Sequence, residues 1–406
     1  MGSPKDISAN NYTYDLPEEK IAKFPVQPKH NSKLLIYKNG EIKESAFLHL
    51  PEFFEEDTLL LMNNTKVLQA RLIFEKESGG KIEVFCLKPT GDRLWQDVLG
   101  ARNKVDMECL VGGISKWKKG PLEKKLQHDS KEISLFARYL NDLPDSKHIE
   151  LNWTEDITFA EILELIGETP LPPYINRKAD ATDKQTYQTY YAAIEGSVAA
   201  PTAGLHFTSE VFNELDKKNI KKQFITLHVG AGTFKPIKSE KLGEHEMHSE
   251  WICVTKQLVT QLLNTKGKVI NVGTTSLRLT ESLYWLGVLC HEKKELSLAK
   301  MQVGQWDPYE LKTTLSKDEA LKILLDKMEA EKLDSFYTTT QILIAPGYDF
   351  KIADGLITNF HQPGSTLLLL IAAVVGDDWK KIYKHALSHD FRFLSYGDSS
   401  LLWVRK

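Results

Sequence analysis

Groups that exchange protons near neutral pH gather in one stretch of this chain. His228 leads into Gly230-Ala231-Gly232-Thr233, and His245-Glu246-Met247-His248-Ser249-Glu250 follows soon after. Three imidazoles and two carboxylates beside a glycine-rich turn suit acid/base catalysis or metal binding. The spacing speaks against zinc, because His245-x-x-His248 lacks the H-E-x-x-H order and no Cys lies near. A surface pair with no role is the simpler account of those two residues.

Three further stretches resist explanation as packing alone. In Ala199-Ala200-Pro201-Thr202-Ala203-Gly204-Leu205-His206-Phe207, small residues let backbone approach a ligand just before a helix opens. A capped turn around a hydrogen-bonded His206 fits that segment equally well. Val269-Ile270-Asn271-Val272-Gly273-Thr274-Thr275-Ser276-Leu277-Arg278 reads as an apolar strand, a glycine and hydroxyls opening a helix. Its free N–H groups suit ribose hydroxyls, carboxylates or phosphates, although one glycine is too few for a dinucleotide fingerprint. Thr358-Asn359-Phe360-His361-Gln362-Pro363-Gly364-Ser365-Thr366 and Ser395-Tyr396-Gly397-Asp398 place polar groups before the apolar run Leu367 to Val375, the make-up of a small-molecule pocket. Ser365 there is equally an N-cap. The absence of a G-x-S-x-G elbow and of a Walker sequence weighs against serine hydrolases and P-loop NTPases.

These loops need elements to hold them. Short strands are expected at Lys33–Lys38 and Thr58–Met62, and alternation as in Lys81-Ile82-Glu83-Val84-Phe85-Cys86 persists from Leu72 to about Leu151. That alternating region suits a small antiparallel barrel or sandwich. Its Ser115-Lys116-Trp117-Lys118-Lys119-Gly120 segment is the most basic in the chain, either a solvated hairpin tip or a contact to RNA backbone. Beyond Pro170-Leu171-Pro172-Pro173, strands alternate with helices, which implies an α/β layer. Helices are expected over Phe207–Asn219, capped by Thr208 or Ser209, near Gln257–Leu263, and over Lys317–Leu333. Strands are expected over Lys222–Val229, Trp251–Thr255 and Val269–Val272.

Composition sets the outer bounds. A chain of 406 residues should hold two or three domains, and 42% hydrophobic residues are enough for a sizeable core. With 52 Lys and Arg against 55 Asp and Glu, no bulk positive field draws the protein to nucleic acid, so any polyanion site is a local patch. The longest apolar run is too short to span a bilayer. Four scattered cysteines and the lack of an apolar leader favour a reducing cytoplasm.

The motifs also occur in a familiar order: Tyr14-Asp15-Leu16-Pro17, Asn63-Asn64-Thr65-Lys66-Val67, Leu171-Pro172-Pro173-Tyr174-Ile175, Tyr187-Gln188-Thr189, AAPTAGLHF, LHVGAGTF, MHSE, GTTSLR, TNFH and SYGD. Through them the chain resembles the S-adenosylmethionine:tRNA ribosyltransferase-isomerase family of queuosine biosynthesis over nearly its whole length. The resemblance implies an α/β fold, a mixed-sheet domain (residues 1–71 and 152–406) with an inserted small antiparallel β-barrel (72–151). It implies transfer of the ribosyl group of S-adenosylmethionine onto 7-aminomethyl-7-deazaguanine of a tRNA with a GUN anticodon. Isomerisation to an epoxycyclopentane would follow, with methionine and adenine released. A cytoplasmic monomer is expected, with S-adenosylmethionine as co-substrate, no metal and no membrane.

That chemistry needs a base at the ribose 5′ carbon, acidified by the sulfonium, and a donor for departing adenine. By their place in matching motifs, His206 and His228 are the expected acid/base pair, with His248 and Glu250 orienting them. Gly204, Gly230, Gly232, Thr233, Gly273, Thr274, Thr275 and Arg278 are expected around the co-substrate. Asn359, His361 and Asp398 are expected at the deazaguanine edge. Lys33, Lys66 and Arg71, with Lys116, Lys118 and Lys119, are expected to meet tRNA. The chain departs from the family pattern at Lys33 for Arg, Asn64 for Asp, Lys66 for Arg, Gln362 for Leu and Gly364 for Lys. A paralogue with altered or lost chemistry is therefore the alternative.

Overall fold

The computed structural model describes residues 3–76, 79–91, 93–117, 120–128, 131–230, 237 and 239–405. Its larger sheet has ten strands. In spatial order they are Gln302–Val303, Ser335–Thr340, Glu250–Thr255, Lys221–Leu227, Leu59–Asn63, Val269–Val272, Gly355–Asn359, Ser399–Trp403, Lys33–Lys38 and Glu41–Ala46. The four strands from Lys221–Leu227 to Gly355–Asn359 run parallel, and their outer neighbours Glu250–Thr255 and Ser399–Trp403 run antiparallel to them. Central strands covered on both faces read as continuous apolar runs. Leu59–Asn63, Val269–Val272 and Gly355–Asn359 are accordingly buried at every residue.

The Thr274–Glu292 helix is buried from Thr274 through Cys290, with the Lys317–Ala330 helix packed across it. The fit is close at Gly287, where a Cβ would lie 2.1 Å from the Ala320 carbonyl oxygen. Deep in this layer Glu281 accepts from Tyr348 Oη at 2.8 Å and from the N–H groups of Lys351, Ile352 and Ala353 at 2.9, 3.0 and 2.9 Å. Burial raises its pKa, and those donors work in the opposite direction.

The alternating region forms a six-stranded antiparallel sheet ordered Arg71–Glu75, Lys81–Pro89, Lys104–Gly112, Lys147–Trp153, Lys131–Asp142, Leu122–His128. It is a nearly closed barrel whose outer strands meet, with Lys124 Nζ donating to the Ile73 carbonyl at 3.0 Å. Period-2 alternation sends Ile82, Val84, Val105, Met107, Ile133, Leu135, Ile149 and Leu151 into one core. The Phe159–Ile166 helix, started by a Thr158/Glu161 capping box, adds Phe159, Ile162 and Leu163 to it.

Local boundaries shift where tertiary partners outweigh local propensity. The helix expected over Phe207–Asn219 is Ser209–Lys217, because Phe207 packs against Phe47 instead. Thr208 occupies the N-cap without a capping bond, since its hydroxyl is engaged 2.8 Å from His30 Nδ1. The strand expected over Thr58–Met62 lies one residue later, and the helix expected to Leu333 stops at Ala330. All four cysteines are free, and among the described residues no helix is long and apolar enough to cross a membrane.

Candidate active site

Three neighbouring elements deliver their chemistry to one sheet edge because parallel strands end there together. Val272 passes into Gly273, Asn359 into Phe360 and His361, and Leu227 into His228, Val229 and Gly230. The carboxyl edge of a parallel sheet is where α/β folds bind ligands. Gly273 holds φ at +91°, which L side chains rarely adopt, so glycine is needed to turn the strand directly into the helix. Among the described residues no side chain caps that helix, which leaves the N–H groups of Thr274 and Thr275 beside the positive end of its dipole.

Two clefts of about 670 Å³ each, open to solvent, meet at this helix start and share Thr274, Thr275 and Leu367. Small residues and neutral polar groups line the first, among them Ala203, Gly273, Thr202, Asn359, His361 and Ser395. Asn359 is fixed on three sides: Oδ1 accepts from Thr202 Oγ1 at 2.8 Å, and Nδ2 donates to His206 Nε2 at 3.2 Å and to the Asp398 carbonyl at 3.4 Å. His206 therefore keeps its proton on Nδ1, which donates to Ser32 Oγ at 2.9 Å. Burial, aided by Arg392 and Lys29, pulls the His206 pKa down to about 3, so the ring is neutral at physiological pH. His361 is held by Thr358 Oγ1 at 2.8 Å from Nε2, by Tyr383 Oη accepting from its N–H, and by Tyr14 Oη donating to its carbonyl. Burial brings its pKa to about 3 as well.

The second cleft is lined by Gly230, His245, Met247, His248, Glu250 and Arg278 on one side and by Ile342, Leu343, Ile344, Leu367 and Leu370 on the other. Glu250 and Arg278 are 5% and 7% exposed and form an ion pair through Oε2 and Nη1. Arg278 Nε donates to the Ile342 carbonyl at 3.1 Å. The 245–248 segment is clamped by Gln305, which donates to the His245 carbonyl at 2.7 Å and accepts from the Met247 N–H at 2.9 Å. Burial lowers the pKa of His245.

The residues expected from sequence separate into groups. Gly230, His248, Glu250, Gly273, Thr274, Thr275, Arg278, Asn359 and His361 line the two clefts. His206 lines neither cleft and touches the first through its bond to Asn359; it lines a smaller pocket with Lys29, Ser32 and Arg392. His228 faces the barrel, its Nε2 3.3 Å from Gln96 Nε2, and burial holds its pKa near 4. Gly204 is a packing glycine, since a Cβ there would come within 2.1 Å of Tyr191 Oη. Asp398 bonds the N–H groups of Lys33 and Arg392 at 3.0 and 2.7 Å and so ties the chain near Lys33 to the turn near Arg392. Gly232, Thr233, Lys118 and Lys119 lie outside the described residues.

Among the expected tRNA contacts, Lys33 Nζ donates to the His389 carbonyl at 2.8 Å and Lys66 pairs with Glu195 at 3.0 Å. Arg71 Nη2 reaches the Leu171 carbonyl at 3.4 Å, and Lys116 is exposed. Of the departures from the family pattern, Gln362 lines the first cleft, and Lys33, Asn64, Lys66 and Gly364 fall outside both linings. Asn64 accepts from Thr226 Oγ1 at 2.9 Å, and Gly364 turns the chain at φ +66°. Tyr174, Thr202, Thr358 and Ser395 line the first cleft from motifs already noted, and Ile342 in the second carries no signal beyond being aliphatic. The grouping best arranged for a metal ion among the described residues is Glu44, His385 and His389, on the surface away from both clefts. There the two imidazole rings stack at 3.8 Å.

Comparison with known proteins adds an independent line. A family model described as queuosine biosynthesis protein matches residues 9–402. A protein of Halothermothrix orenii named S-adenosylmethionine:tRNA ribosyltransferase-isomerase is 36% identical over 403 residues, covering 98% of this chain and 100% of its own. One of the same name from Caldanaerobacter subterraneus is 35% identical over 405 residues, with coverage of 98% and 100%. A solved structure of S-adenosylmethionine tRNA ribosyltransferase from Thermotoga maritima is 25% identical, covers 96% of this chain and 99% of that one, and has a TM-score of 0.45.

Proposed function

This chain belongs to the queuosine biosynthesis protein family, and on that premise we propose that it works as an S-adenosylmethionine:tRNA ribosyltransferase-isomerase. It transfers the ribosyl group of S-adenosylmethionine to 7-aminomethyl-7-deazaguanine in tRNA and isomerises it to epoxyqueuosine, releasing methionine and adenine. Its tRNA carries a GUN anticodon. The observation that carries this assignment is the junction of two clefts at the uncapped start of the Thr274–Glu292 helix, where loops from neighbouring parallel strands converge. A two-substrate reaction needs that shape, since each partner must be held in place before any bond changes.

Roles follow from placement. Thr274 and Thr275 offer main-chain donors to the ribose of the co-substrate, with Gly273 making the turn that presents them and Gly230 across the second cleft. Asn359 and His361 present polar edges to the extruded deazaguanine. His248, exposed where it lines the second cleft, is assigned the 5′ proton, with the buried Glu250 beside it. His206 acts as a positioning residue: its hydrogen bond fixes the Asn359 amide, and its neutrality keeps that bond intact at physiological pH. His228 serves the junction with the barrel rather than the reacting atoms.

The test is incubation with precursor tRNA and S-adenosylmethionine, followed by chromatography for adenine and mass spectrometry of the tRNA. Adenine released in step with the mass gain of an epoxycyclopentane adduct is the expected result, and His248→Ala should slow it about 100-fold. Tight tRNA binding with no adenine would mark a non-catalytic paralogue and overturn the assignment.

A further inference from the structure

The end of the Trp379–Ser388 helix carries chemistry that the clefts do not use. His385 lies in its last turn and His389 is its C-cap, so at i and i+4 the two rings share a face and stack with centroids 3.8 Å apart. Strand Glu41–Ala46, the outermost of the large sheet, brings Glu44 to the same place, with Oε1 2.7 Å from His385 Nε2. One ligand atom from each of the three lies within 4.8 Å of the other two. His389 Nδ1 is 3.0 Å from the His385 carbonyl, which can only accept. In the neutral ring the proton therefore sits on Nδ1, and Nε2 keeps its lone pair. An imidazole that donates its other N–H to a main-chain carbonyl is the usual arrangement around a bound metal, because it fixes both tautomer and ring. Lys33 Nζ holds the His389 and Asp390 carbonyls at 2.8 and 3.3 Å, which pins the main chain carrying that imidazole.

We infer that Glu44, His385 and His389 form a binding site for a first-row divalent ion of the zinc, nickel or copper type. Two imidazole nitrogens with one carboxylate oxygen suit these ions, whereas magnesium and calcium take oxygen ligands. Metal–nitrogen and metal–oxygen bonds of about 2.0–2.2 Å set ligand atoms roughly 3.3 Å apart in a tetrahedron. The contact between His385 and Glu44 thus has to open only slightly, with His385 exchanging to the tautomer protonated on Nδ1. The Glu44 carboxylate and the negative end of the helix dipole both favour a cation here. Glu44 and His389 are exposed and His385 is half-buried, so water completes the coordination. None of the three lines either cleft, and the site stands apart from the reaction assigned above. Its ion clasps the end of the helix to the outer strand and acts on stability.

Calorimetry of the full chain with zinc chloride in a non-chelating buffer tests the site. One ion per chain is expected for wild-type protein, and zinc should raise its melting temperature. His385→Gln combined with His389→Gln should weaken binding at least about 10-fold and abolish that rise. The metal-free melting temperature of this double variant should stay close to wild type, because both side chains reach solvent. Glu44→Gln, which keeps a hydrogen-bonding partner for His385 and loses the charge, is an independent arm with a smaller loss in the same direction. Copper(II) on wild-type protein should show hyperfine structure from two nitrogens in electron paramagnetic resonance, and the double variant should lose it. Wild-type protein that takes up no stoichiometric zinc would overturn the site. Undiminished binding by the double variant would overturn it as well, and would place the ion on other groups, with His245 and His248 the next to replace.

Discussion

The barrel and the carboxyl edge of the large sheet reach order by opposite routes. In the barrel, each strand sends alternate side chains inward, and neighbours in sequence pair in space, as Lys131–Asp142 does with both Leu122–His128 and Lys147–Trp153. At the sheet edge, a single side chain depends on distant partners. Asn359 is oriented by Thr202 and by His206, which in turn rests on Ser32. The barrel spends its residues on a core, whereas the sheet edge keeps buried polar groups poised over open clefts. Stability and chemistry are thus separable, and perturbing one region should leave the other's readout untouched.

The sharpest test of that separation lies in the barrel core. Leu135→Ala, at a wholly buried site, should lower unfolding stability by about 3 kcal/mol in chemical denaturation. Affinity for S-adenosylmethionine should stay within about twofold, and a larger loss would join the two regions energetically. Next in size is Asn359→Ala, which removes one polar edge of the first cleft and releases His206 and Thr202. Adenine release should fall about 100-fold with little change in co-substrate affinity. A matching fall in affinity would place Asn359 on S-adenosylmethionine instead of the tRNA base.

Smaller for each residue is a pH effect at the sheet edge and its junction with the barrel. His206 and His228 have folded pKa values of about 3 and 4, below the ordinary 6.5, so the unfolded chain binds more protons in between. Their contribution is fully present above pH 6.5 and is lost as pH falls toward 4, by about 2 kcal/mol each at pH 5. Thermal denaturation across pH 7.5 to 5 should show this decline, with a shallower slope in His206→Gln. An unchanged slope would mean that the His206 ring already carries a proton in the folded state.

What sequence revealed follows the same division. Alternation around Ile82 and Val84, and the apolar strand Val269–Val272, are local patterns, and both elements appear where expected. The glycine at 273 declared itself because only glycine makes that turn readily. His206 and His228 illustrate the limit. A histidine beside small residues looks the same whether its ring enters a cleft or turns behind it, and the choice was made by Ser32, Asn359 and Gln96, all distant in sequence. The aliphatic wall of the second cleft was legible in part: Leu367 and Leu370 lie in the apolar run expected beside a pocket, whereas Ile342 reads as core until the helix start at Thr274 is placed against it.

Glu281 gives the architecture a mechanical property. Its carboxylate fastens the long buried helix to the segment Tyr348–Ala353, which leads straight into the strand ending at Asn359. Sliding one past the other would abandon four hydrogen bonds in a dry interior, at a cost of several kcal/mol. The helix start and the Asn359 strand consequently travel as one plate. Whatever gives way to admit a large substrate must be found on the opposite bank, among the segments not riveted to that carboxylate.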